Sequence, residues 1–154
     1  MISTPKSLKR LLNIYPPYLG AGVRIEHVGD DWRELHVSMA LRWFNRNSVN
    51  THFGGSLYSM VDPHLMLMLM PLLGKGYLVW DKAADIEFVK ACRTKVTSVI
   101  RISDEDLETI RQKTAGGEKY LPEFQVEIRD EVGDLVAKVK KTLYVKRKPA
   151  RIEH

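Results

Sequence analysis

An α+β fold is predicted for this chain: an antiparallel sheet of about six strands wrapped around one central helix. Three observations carry the prediction. The stretch 54–72 is apolar nearly all round at helical spacing. Segments of alternating apolar and polar residues, the period of a half-buried strand, stand on both sides of it. Tight turns at Gly29-Asp30-Asp31 and at 131–134 join neighbouring strands so that they run antiparallel.

Thr4 and Pro5, followed by Leu8, Leu11, Leu12 and Tyr15, read as a short amphipathic helix. Thr4 is its N-cap and Pro5 its first helical residue, and Pro16-Pro17 ends it. Residues 23–28 and 32–39 alternate as a hairpin, with Leu35, Val37 and Met39 on one face. Residues 43–53 are polar, aromatic and aperiodic, which makes them a loop. Gly54-Gly55-Ser56 then opens the central helix. Leu57, Met60, Val61, Leu65, Met68 and Leu69 mark one face of it, and Tyr58, Met66, Leu67 and Met70 fill much of the other. A helix apolar on both sides needs cover on both sides. One curved sheet covers only part of it, so a homodimer or tetramer is expected. Pro63 removes the hydrogen bond to the Ser59 carbonyl and bends the helix beside Asp62.

Residues 77–90 and 93–102 read as strands. Ser103 caps a short helix with Asp104, Glu105 and Asp106 in its first turn, where the dipole favours acids, and Gly116-Gly117 ends it. Two last strands complete the chain, 119–130 and 135–147, with Phe124, Val126 and Ile128 inward in the first.

With 154 residues, 44% hydrophobic and 28% charged, the chain suits one domain, 1–154, and not a disordered segment. Its single cysteine, Cys92, excludes an intrachain disulfide and a cysteine-built zinc site, and points to a reducing compartment. No export-signal pattern is present. The longest apolar run, 65–73, is nine residues and contains Pro71, against about 20 for a membrane span. A cytoplasmic protein with no membrane partner is expected. The net charge is +5, and much of it sits late, at Lys138, Lys140, Lys141, Lys146, Arg147, Lys148 and Arg151. A basic strand and tail (148–154) is either a solvated face or an attraction for phosphates, those of a nucleotide-tagged metabolite before those of nucleic acid.

The informative segment runs from Asn47 through Gly54-Gly55 to Asp62-Pro63. It resembles the signature of hotdog-fold thioesterases of the phenylacetyl-CoA type. In that family an Asn stands six residues before a His-Gly-Gly, and an Asp comes nine residues after that His. Asn47, Gly54, Gly55 and Asp62 match at those spacings. Phe53 stands where the family has His, and His52 is one position early. The Phe-Gly-Gly, the Asp-Pro, the Met-rich helix and Val79-Trp80-Asp81-Lys82 look like a hotdog branch classed with the thioesterases.

The resemblance implies hydrolysis of an acyl-CoA thioester, with Asp62, Asn47 and Gly55 as catalytic residues and Gly54, Phe53, His52 and Ser56 touching substrate. It implies no cofactor beyond the CoA carried by the substrate, no metal and no nucleic acid. The residues themselves are compatible with that chemistry. A helix opening on two glycines presents unpaired N–H groups to an incoming carbonyl. Asp62 is the only acid of the apolar helix; burial would raise its pKa and suit a base or nucleophile. Asn47 would position water or the acyl carbonyl.

Each residue also has a structural alternative. The glycines allow a tight turn, Asp62 bonds a neighbouring backbone N–H, and Asn47 caps its loop. His52 and His64 pack in the core, Ser56 caps the helix, and Asp81 and Lys82 form a strand salt bridge rather than line a pocket. The methionines serve core or acyl tunnel. The competing function is a non-catalytic acyl-thioester or lipid-binding protein. Gly55 and Asp62 are seven residues apart, ~10 Å along a straight helix, so joint action on one thioester requires them to come from different subunits.

Overall fold

The computed structural model describes residues 4–150; the end of the expected basic tail, Arg151 included, lies outside them. The N-terminal helix α1 (Pro5–Asn13) begins as expected, with Thr4 and Ser7 in a reciprocal capping box. Pro16 and Pro17 do more than end it. They open a second helix, α2 (Pro16–Ala21), because proline loses nothing in a first turn whose N–H has no partner. Gly22 closes α2 at φ 78, a left-handed conformation that glycine adopts without strain.

The remaining elements are β1 (Val23–Val28), β2 (Glu34–Met39), α3 (Gly54–Ser59), α4 (His64–Leu73), β3 (Tyr77–Phe88), β4 (Val96–Arg101), α5 (Asp104–Thr114), β5 (Lys119–Tyr120), β6 (Glu123–Arg129) and β7 (Leu135–Arg147). The sheet runs β1-β2-β4-β6-β7-β3, and every pairing is antiparallel. Strand β5 also pairs with β7, in line with β6. The expected strand 119–130 is therefore one strand interrupted at Leu121-Pro122. Proline has no N–H for the ladder, but the Pro122 carbonyl still accepts from Leu143 N–H at 3.0 Å.

The central helix lies on the concave side of this sheet. The face read from the sequence is the buried one: Leu57, Met60, Val61, Leu65, Met68 and Leu69 are all in the core. Against them pack alternate residues of the strands, among them Leu35, Val37, Ile100, Val126, Val139 and Leu143. Tyr58, Met66 and Leu67 are half-buried and Met70 is exposed. Pro63 does not merely bend the helix; it splits it into α3 and α4, with Met60–Pro63 as the turn between them. The helical stretch Gly54–Leu73 has the length and hydropathy of a membrane span, yet it is the core helix of the sheet.

Strand β3 is an edge strand, and it carries a bulge. Asp81 pairs with Leu143 and Ala83 with Thr142, so Lys82 is an extra residue. At the far end, Lys90 reaches both Asp130 and Asp134, at 2.8 and 2.7 Å, and ties the chain after β3 to the β6–β7 turn.

Candidate functional site

Asp62 sits on the turn that splits the central helix. Its side chain is 50% exposed, not buried as the sequence suggests. Behind it stands Lys141. The sequence groups this lysine with surface cations, but its side chain is 1% exposed. Residues of β7 alternate, and Val139, Lys141, Leu143 and Val145 form its buried column. The ammonium therefore enters the core under the helix break.

Four side chains meet there. The Lys141 ammonium lies 2.9 Å from the Asp81 carboxylate of β3 and 3.3 Å from the Asp62 carboxylate. It also donates to the Tyr58 hydroxyl at 3.1 Å, and that hydroxyl donates in turn to Asp62 at 2.9 Å. Asp62 is thus held twice, directly and through Tyr58. Burial pulls the Lys141 pKa down, but the Asp81 and Tyr58 contacts outweigh it and leave the ammonium above its ordinary range. Burial, with the Asp62 bond, raises the Tyr58 phenol, so the hydroxyl keeps the proton it donates.

Under the same turn His64 is fully buried, with its Nε2 at 2.7 Å from the Tyr18 hydroxyl. Burial pushes the imidazole down to about 3, against the pull of the Asp62 charge. Burial, reinforced by Asp62, raises Tyr18. A neutral imidazole therefore accepts from a protonated phenol, as a packed histidine does.

The glycine end of the central helix has a different character. The N–H groups of Gly54, Gly55 and Ser56 precede the first helical bond, which Leu57 N–H makes to the Phe53 carbonyl at 3.1 Å. A methyl group on Gly54 would come within 3.0 Å of the Phe88 ring, and one on Gly55 within 2.7 Å of the Phe53 ring. Both rings are more than half exposed. The helix start is therefore an aromatic-sided notch whose first amides make no helical bond. Phe53 is the N-cap residue, without a side-chain bond. Ser56 is not the cap; it is buried in the first turn.

Asn47 turns its amide to its own loop. Its Oδ1 accepts from Val49 and Thr51 N–H, at 3.1 and 3.0 Å, and its Nδ2 donates to Thr51 Oγ1 at 2.8 Å. His52 is buried, with Nε2 at 2.7 Å from the Thr94 carbonyl. Burial lowers its pKa. The structure thus gathers Gly54, Gly55, Ser56 and Phe53 at one end of the helix and sets Asp62 at the break. Sequence reasoning missed Lys141 and Tyr58 as parts of the Asp62 environment. For Lys141 a signal existed: it is a lysine in register with Val139, Leu143 and Val145 on a strand of period two.

A second concavity, of about 1010 Å³, opens at the far end of β7. Lys75, Lys146, Arg147 and Lys148 line it with the glycines 116 and 117. Lys148 Nζ donates to the Lys75 carbonyl at 3.0 Å. Arg147 lies six residues along β7 from Lys141, on the same side of the strand, which is roughly 20 Å. Lys138, by contrast, is paired with Glu87 at 3.4 Å.

Comparison with known proteins agrees with this architecture. The family model described as "Domain of unknown function (DUF4442)" matches residues 5–145. No curated protein matches the chain. Among solved structures, PA5026 from Pseudomonas aeruginosa is similar with TM-score 0.79 at 16% identity, over 93% of this chain and 96% of that one. Thioesterase HI1161 from Haemophilus influenzae is similar with TM-score 0.68 at 17% identity, over 98% and 96%. A mutant of thioesterase PA1618 from Pseudomonas aeruginosa is similar with TM-score 0.67 at 13% identity, over 96% of both chains. At these identities the likeness is one of fold, and the fold is the hotdog.

Proposed function

This chain belongs to the DUF4442 family, and on that premise we propose that it is a hotdog hydrolase of acyl-CoA thioesters. The observation that carries the reading is Asp62, a carboxylate open to solvent on one side and anchored on the other by Lys141 and Tyr58. It acts as base or nucleophile. As a base, it takes a proton from water as the oxygen adds to the thioester carbonyl. The resulting oxyanion is held by a glycine N–H, that of Gly55. The C–S bond then breaks, Asp62 returns the proton to the departing thiolate, and CoA thiol and carboxylic acid leave. The names of the structural neighbours support the same class of reaction.

The basic cleft supports CoA as the leaving group. Its cations suit phosphates, and it lies at the end of the strand that carries Lys141, the lysine behind the reacting carboxylate. Lys141 is not among them, since its ammonium is taken up by two carboxylates.

The assembly is a homodimer, in which Asp62 of one subunit faces Asn47 and the Gly54-Gly55 helix start of the other. The half-buried Tyr58, Met66 and Leu67, the exposed Met70 and the open edge of β3 support a second copy. The protein is expected in the cytoplasm.

A second reading, a non-catalytic acyl-thioester or lipid-binding protein, is favoured by Phe53 at the family's His position and by the engagement of the Asn47 amide in its own loop. Thiol release from CoA thioesters of graded chain length separates the two. Hydrolysis of at least one ester, falling ~10²–10⁴-fold in Asp62→Asn, is the expected result. Tight binding of those esters with no thiol release at any chain length overturns the enzyme reading.

A further inference from the structure

We propose that Lys141 is the positioning residue of Asp62, and that Asp81 competes with Asp62 for its ammonium. The inference rests on Asp62 being the working carboxylate of the proposed hydrolase, and it says what sets that carboxylate's charge and direction.

A lysine with 1% of its side chain exposed is costly unless its charge is matched. Here it is matched twice, by two carboxylates on different elements. Asp81 is the nearer, at 2.9 Å, and Asp62 the farther, at 3.3 Å. They differ in what else they touch. Asp62 is half open to solvent and also receives the Tyr58 hydroxyl, whereas Asp81 is the more enclosed, at 28% exposed. One cation thus faces two anions, and the farther one is the more open to solvent. The groups facing Asp62 come from every element around it: Tyr58 from α3, His64 from α4, Tyr18 from α2, Lys141 from β7 and Asp81 from β3 through the shared ammonium. His64 is neutral and the two tyrosines are protonated. Among these groups the formal charges are Lys141, which favours the carboxylate, and Asp81, which opposes it.

Opposite signs give an unusual test. Removing the cation makes Asp62 easier to protonate. Removing the competing anion makes it harder, because Lys141 is then left to Asp62 alone. A residue that served only to fill the core would not produce two shifts of opposite direction.

The experiment tracks the Asp62 carboxyl resonance by ¹³C NMR against pH in the full-length protein, assigned by its loss in Asp62→Asn. Lys141→Met moves the midpoint up by ~1 unit or more, and Asp81→Asn moves it down. The acid limb of the kcat/KM profile moves with the midpoint in each variant, with Lys141→Arg close to wild type. If Lys141→Met does not fold, the downward shift in Asp81→Asn and an upward one in Tyr58→Phe carry the test. Shifts of the same sign in Lys141→Met and Asp81→Asn, or no shift in either, overturn the proposal. The titration does not need turnover. Opposite shifts in a protein that hydrolyses no thioester would uphold the charge competition while removing the thioesterase reading.

Discussion

The Tyr18 hydroxyl and Nε2 of His64 lie 2.7 Å apart in a part of the core closed to solvent, and they join α2 to α4. The folded imidazole titrates at about 3 because it is buried, against 6.5 for the free side chain. Between those values the unfolded chain holds a proton that the folded one does not. The contribution of His64 to stability is therefore complete above pH 6.5 and falls as the pH drops through that window, by at most about 1.4 kcal/mol per unit. Urea unfolding of wild type and His64→Gln from about pH 7.5 to about pH 4.5 should show a gap that narrows on acidification. Parallel curves would mean that His64 titrates normally in the fold.

Gly55→Ala tests the notch. The added methyl meets an edge carbon of the exposed Phe53 ring, which can swing away. The melting temperature should change little, while thioester hydrolysis falls on the order of 10²-fold because the carbonyl no longer approaches the amide. Gly55→Ala with full activity would move the oxyanion site elsewhere.

The basic cleft makes a prediction about KM. Lys146→Glu and Lys75→Glu should raise KM for a CoA thioester, reduce its dependence on salt and leave kcat nearly unchanged. Neither should affect the matching pantetheine thioester, which lacks the nucleotide phosphates. Lys138→Glu, on a residue already paired with Glu87, is the control and should leave the CoA ester's KM in place. Equal effects on both esters would return the cleft to the solvated surface.

The shared site is tested by mixing subunits. Asp62→Asn and Asn47→Ala proteins should each be nearly inactive. Co-refolded, they form heterodimers in which one interface keeps both wild-type groups, so activity should return to a fraction of wild type. A mixture that exchanges subunits and stays inactive excludes a site built from two chains.

The period-two and helical patterns were sufficient for most of the fold because they record burial directly. Leu57, Met60, Val61, Leu65, Met68 and Leu69 fall on the buried face they predict, and so do Phe124, Val126 and Ile128. Breaks in regular structure were harder to read. Proline signals an interruption but not the kind of element beyond it, so Pro16-Pro17 predicts an end where a second helix also begins, and Pro122 leaves no mark on the alternation of the strand it interrupts. At the site, spacing along the chain led to Asp62, Gly54 and Gly55. It did not lead to the cation behind Asp62, because Lys141 is 79 residues away in sequence. Its charge pointed to the surface, and only its place between Val139 and Leu143 pointed inward.

The bulge in β3 decides how the two ends of the helix are served by one strand. Asp81 contacts the buried ammonium beneath the helix break, and Phe88 covers Gly54 at the helix start. Seven positions separate them, an odd number, so a regular strand would send these two side chains to opposite faces. The surplus residue at Lys82 restores even parity. If the ladder took Lys82 in as an ordinary residue, every residue of the candidate site would still be in the sequence. Yet either the acid or the ring would then face away from the helix. The spacing of this strand is thus part of the site's specification, as binding as the identity of any side chain in it.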